Sequence, residues 1–286
     1  MIDPEHLLRL PIETRRFSYD IRDTMLYALG VGFGSDPLDE LDLCFVYEDG
    51  LMALPTQLTT VAWDRSWVEA SRIPWPKVIH GEQSIRLMRP LAPSGDVIAK
   101  TRIRDVQDKG SGALVHVQTC IFDAPTGEAL GIATTGFFVR GGGGFGRAMR
   151  GRSSSLEIPT RAADATELAR TSGNQALLYR LSGDHNPHHA IPAAARAGGF
   201  PRPILHGLCT YGFACRSAVR SICQGNPAQV EAFDARFTAP VFPGDTLCFD
   251  FWRRGEDQVT VRGTCPEREI KVLEGTIKLR ATTAAN

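Results

Sequence analysis

Hydrophobic and polar positions alternate along this chain in two blocks, one in each half, and each block reads as a set of antiparallel strands. In the first half the runs 81–88, 96–105, 112–122 and 129–139 carry apolar side chains at every second position for much of their length. In the second half the runs 230–238, 246–253, 258–264 and 269–281 do the same. Every second side chain of a strand shares one face, so each block predicts a sheet with one buried face. Turn formers such as Gly95-Asp96, Gly244-Asp245 and Arg254-Gly255-Glu256-Asp257 separate the runs.

The pattern changes ahead of the second block. After a Pro201-Arg202-Pro203 turn, residues 205–223 place Gly207, Leu208, Gly212, Ala214, Ala218 and Ile222 around much of a helix circumference. That distribution predicts a helix buried on most sides. A shorter helix is expected around 174–181. A long buried helix followed by antiparallel strands predicts an α+β unit in which the sheet wraps round the helix. The first half has equally clear strands, but only about 50 residues, richer in Pro, Trp and Asp, lie between the Tyr27 helix and His80. No long helix is legible there.

The halves repeat each other weakly. Leu26-Tyr27-Ala28-Leu29-Gly30 parallels Leu178-Tyr179-Arg180-Leu181-Ser182 at an offset of 152, and Arg86, Pro90 and Pro93 parallel Arg236, Pro240 and Pro243 at an offset of 150. Duplication of one unit of about 130–150 residues accounts for both. The glycine-rich break around Gly141-Gly142-Gly143-Gly144 falls between the copies. The expected organisation is an N-terminal unit at 1–140, a Gly/Ser-rich linker at 141–156 and a C-terminal unit at 157–286. A phosphate cradle is the competing reading of the glycines, but no strand-to-helix context with a Lys-Ser/Thr follows them. Arg147, Arg150 and Arg152 are read as solvated linker in preference to a phosphate contact.

Composition narrows the function. The 286 residues include 32 Lys+Arg and 32 Asp+Glu, a formal net charge of zero, which argues against nucleic acid or an anionic membrane as the main partner. No apolar run approaches the ~20 residues that span a bilayer. The seven cysteines show no CxxC pairing, and six sit among apolar neighbours, as expected of reduced thiols in the cytoplasm. The opening Met1-Ile2-Asp3-Pro4-Glu5-His6 lacks a basic-then-apolar leader, and the closing Ala284-Ala285-Asn286 is no peroxisomal tripeptide. A cytoplasmic chain is therefore expected.

The chemistry concentrates in Tyr179-Arg180-Leu181-Ser182-Gly183-Asp184-His185-Asn186-Pro187-His188-His189, which puts a carboxylate, an amide and an imidazole within six residues. Seventeen residues after His189 comes His206-Gly207, at the start of the long helix. An acid/base pair beside a helix start with a free backbone N–H suits the addition of water to an activated double bond. Alone, Asp184-x-Asn186-Pro187 is also a good turn and N-cap sequence. His185, His188, His189 and His206 could form a metal set, but acid partners are few and no HExxH or HxxxH pair is present, so no metal is expected. Where the second copy has Gly183-Asp184-His185-Asn186, the first has Val31-Gly32-Phe33-Gly34. One active site per chain is expected, in the second half.

These residues, read as YRLSGDHNPHH followed by PILHG, resemble the MaoC-like (R)-specific enoyl-CoA hydratases, and most closely the hydratase unit of peroxisomal multifunctional enzymes. The likeness covers nearly the whole chain, including Phe45-Val46-Tyr47-Glu48, Leu54-Pro55-Thr56, His80-Gly81-Glu82-Gln83 and Asp108-Lys109-Gly110-Ser111-Gly112. The resemblance implies a double hot-dog fold with a degenerate first copy. It implies reversible hydration of trans-2-enoyl-CoA to (3R)-hydroxyacyl-CoA, with an acyl-CoA partner and no cofactor. It assigns catalysis to Asp184, His189, Asn186 and the backbone N–H of Gly207. It assigns Tyr179, His206, His80 and Glu48 as substrate-pocket or orienting groups. Three departures, His185, His188 and Ile191, are expected to ring the site. Two hot dogs in one chain mimic the family's dimer, and a further homodimer is compatible with that plan. A binding-only paralogue or a thioesterase or dehydratase of the same fold is the alternative.

Overall fold

Period-two burial persists through the strands. In β3 (Gly95–Asp108) Val97, Ala99, Thr101 and Ile103 are buried while the residues between them are more exposed. The computed structural model describes residues 2–64, 66–73, 77–146 and 156–281. Its other strands are β1 (Glu13–Tyr19), β2 (Val78–Leu87), β4 (Gly112–Asp123), β5 (Ala129–Arg140), β6 (Ala165–Arg170), β7 (Val230–Phe237), β8 (Thr246–Arg253), β9 (Gln258–Cys265) and β10 (Ile270–Leu279). Among the described residues they form one antiparallel sheet in the order β1-β3-β4-β5-β2-β7-β10-β9-β8-β6.

That order is two five-stranded copies of one topology, joined at β2 and β7. The joint pairs Glu82 with Arg236, Ser84 with Asp234 and Arg86 with Ala232. The copies correspond strand by strand, β1-β3-β4-β5-β2 against β6-β8-β9-β10-β7, as duplication requires. The eight strands expected from alternation are all present. The outermost strands β1 and β6 were not expected from it: as edges they have a partner on one side alone and carry exposed residues at half or more of their positions.

The helices are α1 (Pro4–Leu8), α2 (Ile21–Gly30), α3 (Glu40–Val46), α4 (Ser66–Ser71), α5 (Gln175–Tyr179), α6 (Pro192–Ala197) and α7 (Gly207–Ser221). α7 lies in the concave face of the second half-sheet, with every residue from Leu208 to Val219 buried. The Tyr211 hydroxyl donates to the Phe233 carbonyl at 2.6 Å, which ties α7 to β7. α2 crosses close above it: a Cβ on Gly212 would lie 2.4 Å from Val31 Cγ1, so only glycine fits at the crossing. In the first half, among the described residues, the 3-10 helix Pro55–Thr59 packs on β2 and β5, and no long helix lies there. The architecture is the expected α+β double hot dog, its first copy without a long central helix among the described residues.

The glycine-rich break begins as a docked segment. The Asp108 carboxylate accepts N–H bonds from Gly110, Gly144 and Gly146, pinning the run onto the β3–β4 turn. Those amides already have an anionic acceptor, which argues further against a phosphate cradle. Residues 147–155 of the expected linker, with Arg147, Arg150 and Arg152, lie outside the described residues.

Candidate active site

The segment between α5 and α6 folds as a short series of turns. Gly183 has φ +123°, and a Cβ there would lie 3.1 Å from the Trp63 ring, so glycine is needed for both conformation and space. The Asp184 carboxylate accepts the Asn186 N–H at 3.1 Å. Asn186 then caps the 3-10 turn Pro187–His189. These local bonds aim Asp184, Asn186, His188 and His189 into one cavity of about 290 Å³. Gly207 and Thr210, at the start of α7, form part of its wall, with His80 and Phe137 from the first half and Phe237 from β7. The cavity therefore lies across the joint between the two copies.

His189 is buried and held by its back. Its Nδ1 lies 2.8 Å from the Ile204 carbonyl oxygen, which can only accept, so Nδ1 carries the hydrogen. Its Nε2 is 3.9 Å from Asp184 Oδ2 and 3.0 Å from His188 Nε2. His206 stacks under His189 with ring centroids 3.6 Å apart, and donates from Nε2 to the Asp184 carbonyl at 3.0 Å. One residue thus supports both members of the acid/base pair. Tyr179 packs in turn on His206, ring to ring at 5.0 Å.

Burial dominates the electrostatics. It pulls the imidazoles of His80, His188 and His189 down to about 4, and that of His206 well below its ordinary value. All four are neutral at neutral pH. A neutral His189 with hydrogen on Nδ1 offers a lone pair at Nε2, as a general base needs.

The N–H groups of Gly207 and Leu208 have no acceptor among the described residues, and His206 supplies no side-chain cap. An uncapped helix start presents unsatisfied donors at the positive end of the helix dipole, suited to a thioester oxygen. Asp184, His189 and His206 also bring one potential metal-ligand atom each within 4.8 Å of one another. The arrangement fits a metal poorly: with the His189 and His206 rings stacked 23° from parallel, their in-plane lone pairs run side by side and do not converge.

The structure brings together Asp184, Asn186, His189, Gly207 and His80 at the cavity. It corrects other expectations. Glu48 is exposed beyond the end of α3 and is not part of the cavity wall. Tyr179 and His206 are 1% exposed and lie behind His189, where of the two expected roles, pocket or orienting group, the second is the one their contacts fit. Of the three departures, His185 and Ile191 are exposed, and only His188 reaches the cavity. Trp63, Phe137, Phe200 and Phe237 went unread as wall residues, because each comes from a different element and nothing in the local pattern ties it to the Asp184 segment. Thr210 was within reach of inference, lying one helical turn after Gly207 on the same face.

Known proteins resemble this chain along both of its halves. The MFE-2 hydratase 2 N-terminal domain matches residues 17–141, and the MaoC like domain matches residues 155–275. The chain is 36% identical to the peroxisomal enoyl-CoA hydratase 2 of Arabidopsis thaliana, over 98% of this chain and 96% of that one. It is 40% identical to 3-hydroxyacyl-thioester dehydratase Y of Mycobacterium tuberculosis, over 88% of each. The crystal structure of a MaoC-like dehydratase from Phytophthora capsici superposes with a TM-score of 0.86 at 30% identity, covering 100% of both chains. With both of its halves matched in order and its whole length aligned, this chain belongs to the MaoC-like hydratase family, as an MFE-2-type N-terminal unit followed by a MaoC-like unit.

Proposed function

We propose that the protein is an (R)-specific 2-enoyl-CoA hydratase, a hydro-lyase that adds water reversibly to trans-2-enoyl-CoA and gives (3R)-hydroxyacyl-CoA. The observation that carries this is the meeting of Asp184, His189 and the free Gly207 N–H around one cavity. The thioester carbonyl would lie against the Gly207 N–H, which stabilises the negative charge that develops on its oxygen. A water held between Asp184 and His189 would lose a proton to the pair as its oxygen attacks C3, and the pair would then return that same proton to C2, so that one water is added and both groups end as they began. Both groups act from the same side of the double bond, so the addition is syn. Asn186 holds the Asp184 turn and faces the water. Tyr179 and His206 position these groups, and His80 faces them from the cavity wall. Dehydration is the same chemistry run backwards. No step calls for a metal or redox cofactor.

The first half supplies the acyl site. Trp63 and Phe137 separate the catalytic cavity from a second space lined by Leu58, Trp67, Val117 and Ala133. That space is about 40 Å³, with Thr59, Thr101, Thr119 and Thr135 also in its wall, so an acyl tail would enter it only by displacing side chains between it and the catalytic cavity. The units 1–140 and 157–286 would thus divide acyl binding from catalysis. No helix of the described residues is long and apolar enough to cross a membrane, and all seven cysteines are free thiols, which fits a reducing compartment such as the cytoplasm.

The deciding experiment follows the loss of enoyl absorbance with crotonyl-CoA and trans-2-decenoyl-CoA, the product being offered to an (S)-specific 3-hydroxyacyl-CoA dehydrogenase. Hydration with a product refused by that enzyme is expected. Tight binding of both thioesters without turnover would replace the hydratase with a binding protein.

A further inference from the structure

His188 lines the cavity beside Asp184 and His189, and the hydration chemistry above gives it no part. Its Nε2 lies 3.0 Å from His189 Nε2, the rings meeting edge-on with centroids 4.1 Å apart. Because His189 Nδ1 already carries the hydrogen bonded to Ile204, a single hydrogen can occupy the space between the two Nε2 atoms. While His189 is neutral that hydrogen belongs to His188, which donates it into the lone pair a general base needs. When His189 is protonated the bond reverses and His188 accepts.

We propose that His188 is a positioning residue of the hydratase, which donates to His189 Nε2, holds it in its resting tautomer and lowers its affinity for a proton until the reacting water takes His188's place. The inference rests on the hydratase reading. Its physical basis is that a donor aimed at a lone pair stabilises the neutral imidazole over the cation. Other groups also face His189. Burial opposes its cation first, the Ile204 carbonyl at Nδ1 and the Asp184 carboxylate at 3.9 Å favour it, and His80 across the cavity and Arg180 oppose it, with the His206 ring stacked beneath. His188 is in turn faced by His189, Asp184 and the Phe200 ring. Of all these groups, His188 alone addresses the Nε2 lone pair with an N–H. Burial keeps both rings neutral at neutral pH, as the donor arrangement requires.

Two substitutions test this. His188→Leu removes the donor at similar volume, and His188→Gln returns an amide N–H close to the place of Nε2. The readouts are the acid limb of the kcat/KM pH profile with crotonyl-CoA and the titration midpoint of His189, followed by NMR in protein with 15N-labelled imidazoles. In H188L both are expected to move up by about half a pH unit or more, as a lost hydrogen bond to the neutral form implies, with H188Q close to wild type. Should H188L fail to fold, His188→Asn, too short to reach His189 Nε2, takes its place. A His189 midpoint unmoved in H188L, or moved equally in H188Q, would overturn the proposal. A wild-type chain that does not hydrate enoyl-CoA would sink the hydratase reading alone, since the NMR midpoints still decide whether His188 addresses His189.

Discussion

Asp184 Oδ2 and His189 Nε2 stand 3.9 Å apart, too far for a hydrogen bond and close enough for one water to bridge them. The five-residue separation of Asp184 and His189 and the turns between them set this gap. Burial under α7 and the facing half-sheet makes both groups matter. Replacing Asp184 with Asn, or His189 with Gln, keeps shape and removes proton transfer. Each should lower kcat by ~10²–10⁴ with the circular dichroism spectrum unchanged, the usual scale for a positioned acid or base. Wild-type turnover in either variant would remove that residue from the mechanism.

Gly183 shapes the turn from which Asp184 projects. Alanine there meets both a positive φ of +123° and the Trp63 ring at 3.1 Å. Gly183→Ala should cost ~1–3 kcal/mol in a denaturant titration, as forced backbone conformations do, and should also lower kcat by displacing Asp184. Equal stability in the two proteins would show that the turn relaxes at no cost.

Stability should fall in mild acid. The folded imidazoles of His80, His188 and His189 are lowered from 6.5 to about 4, so the unfolded chain binds more protons than the folded one between these values. Stability therefore rises with pH through that window, and is lost as pH falls from about 6.5 towards 4. Melting temperatures measured between pH 7.5 and 4.5, about the window these groups define, should fall steadily. His80→Gln should flatten the decline, and an identical slope in that variant would remove His80 as a contributor.

Chain-length preference should respond to Ala133, which lines the inner space and not the catalytic cavity. Ala133→Leu fills that space. It should lower kcat/KM for trans-2-decenoyl-CoA about tenfold relative to crotonyl-CoA, the effect of denying a pocket to one or two methylenes. Parallel changes for both substrates would place the tail elsewhere.

The two halves should unfold together. They share one sheet through β2 and β7 and one apolar cluster that includes Ile85 and Phe233. Calorimetry should show a single transition. Residues 157–286 expressed alone should aggregate, since separation exposes the β7 edge. Two resolved transitions would mean that each copy folds independently.

The sequence alone determined the strand runs, the long buried helix, the duplication and the Asp184-Asn186-His189 set. These depend on period-two or helical spacing, or on a few consecutive residues whose side chains bond to neighbouring backbone, as Asn186 does. The edge strands β1 and β6 escaped because half-exposed strands lose the alternation that marks a core face. The wall residues Trp63, Phe137 and Phe237, the support of both Asp184 and His189 by His206, and the exposure of Glu48 were decided by tertiary structure. So was the contact of His188 with His189, because adjacency in the chain does not say which way two rings turn. The site lies across the joint of two copies, and the long-range pairing of β2 with β7 closes it, bringing together residues that no local pattern connects.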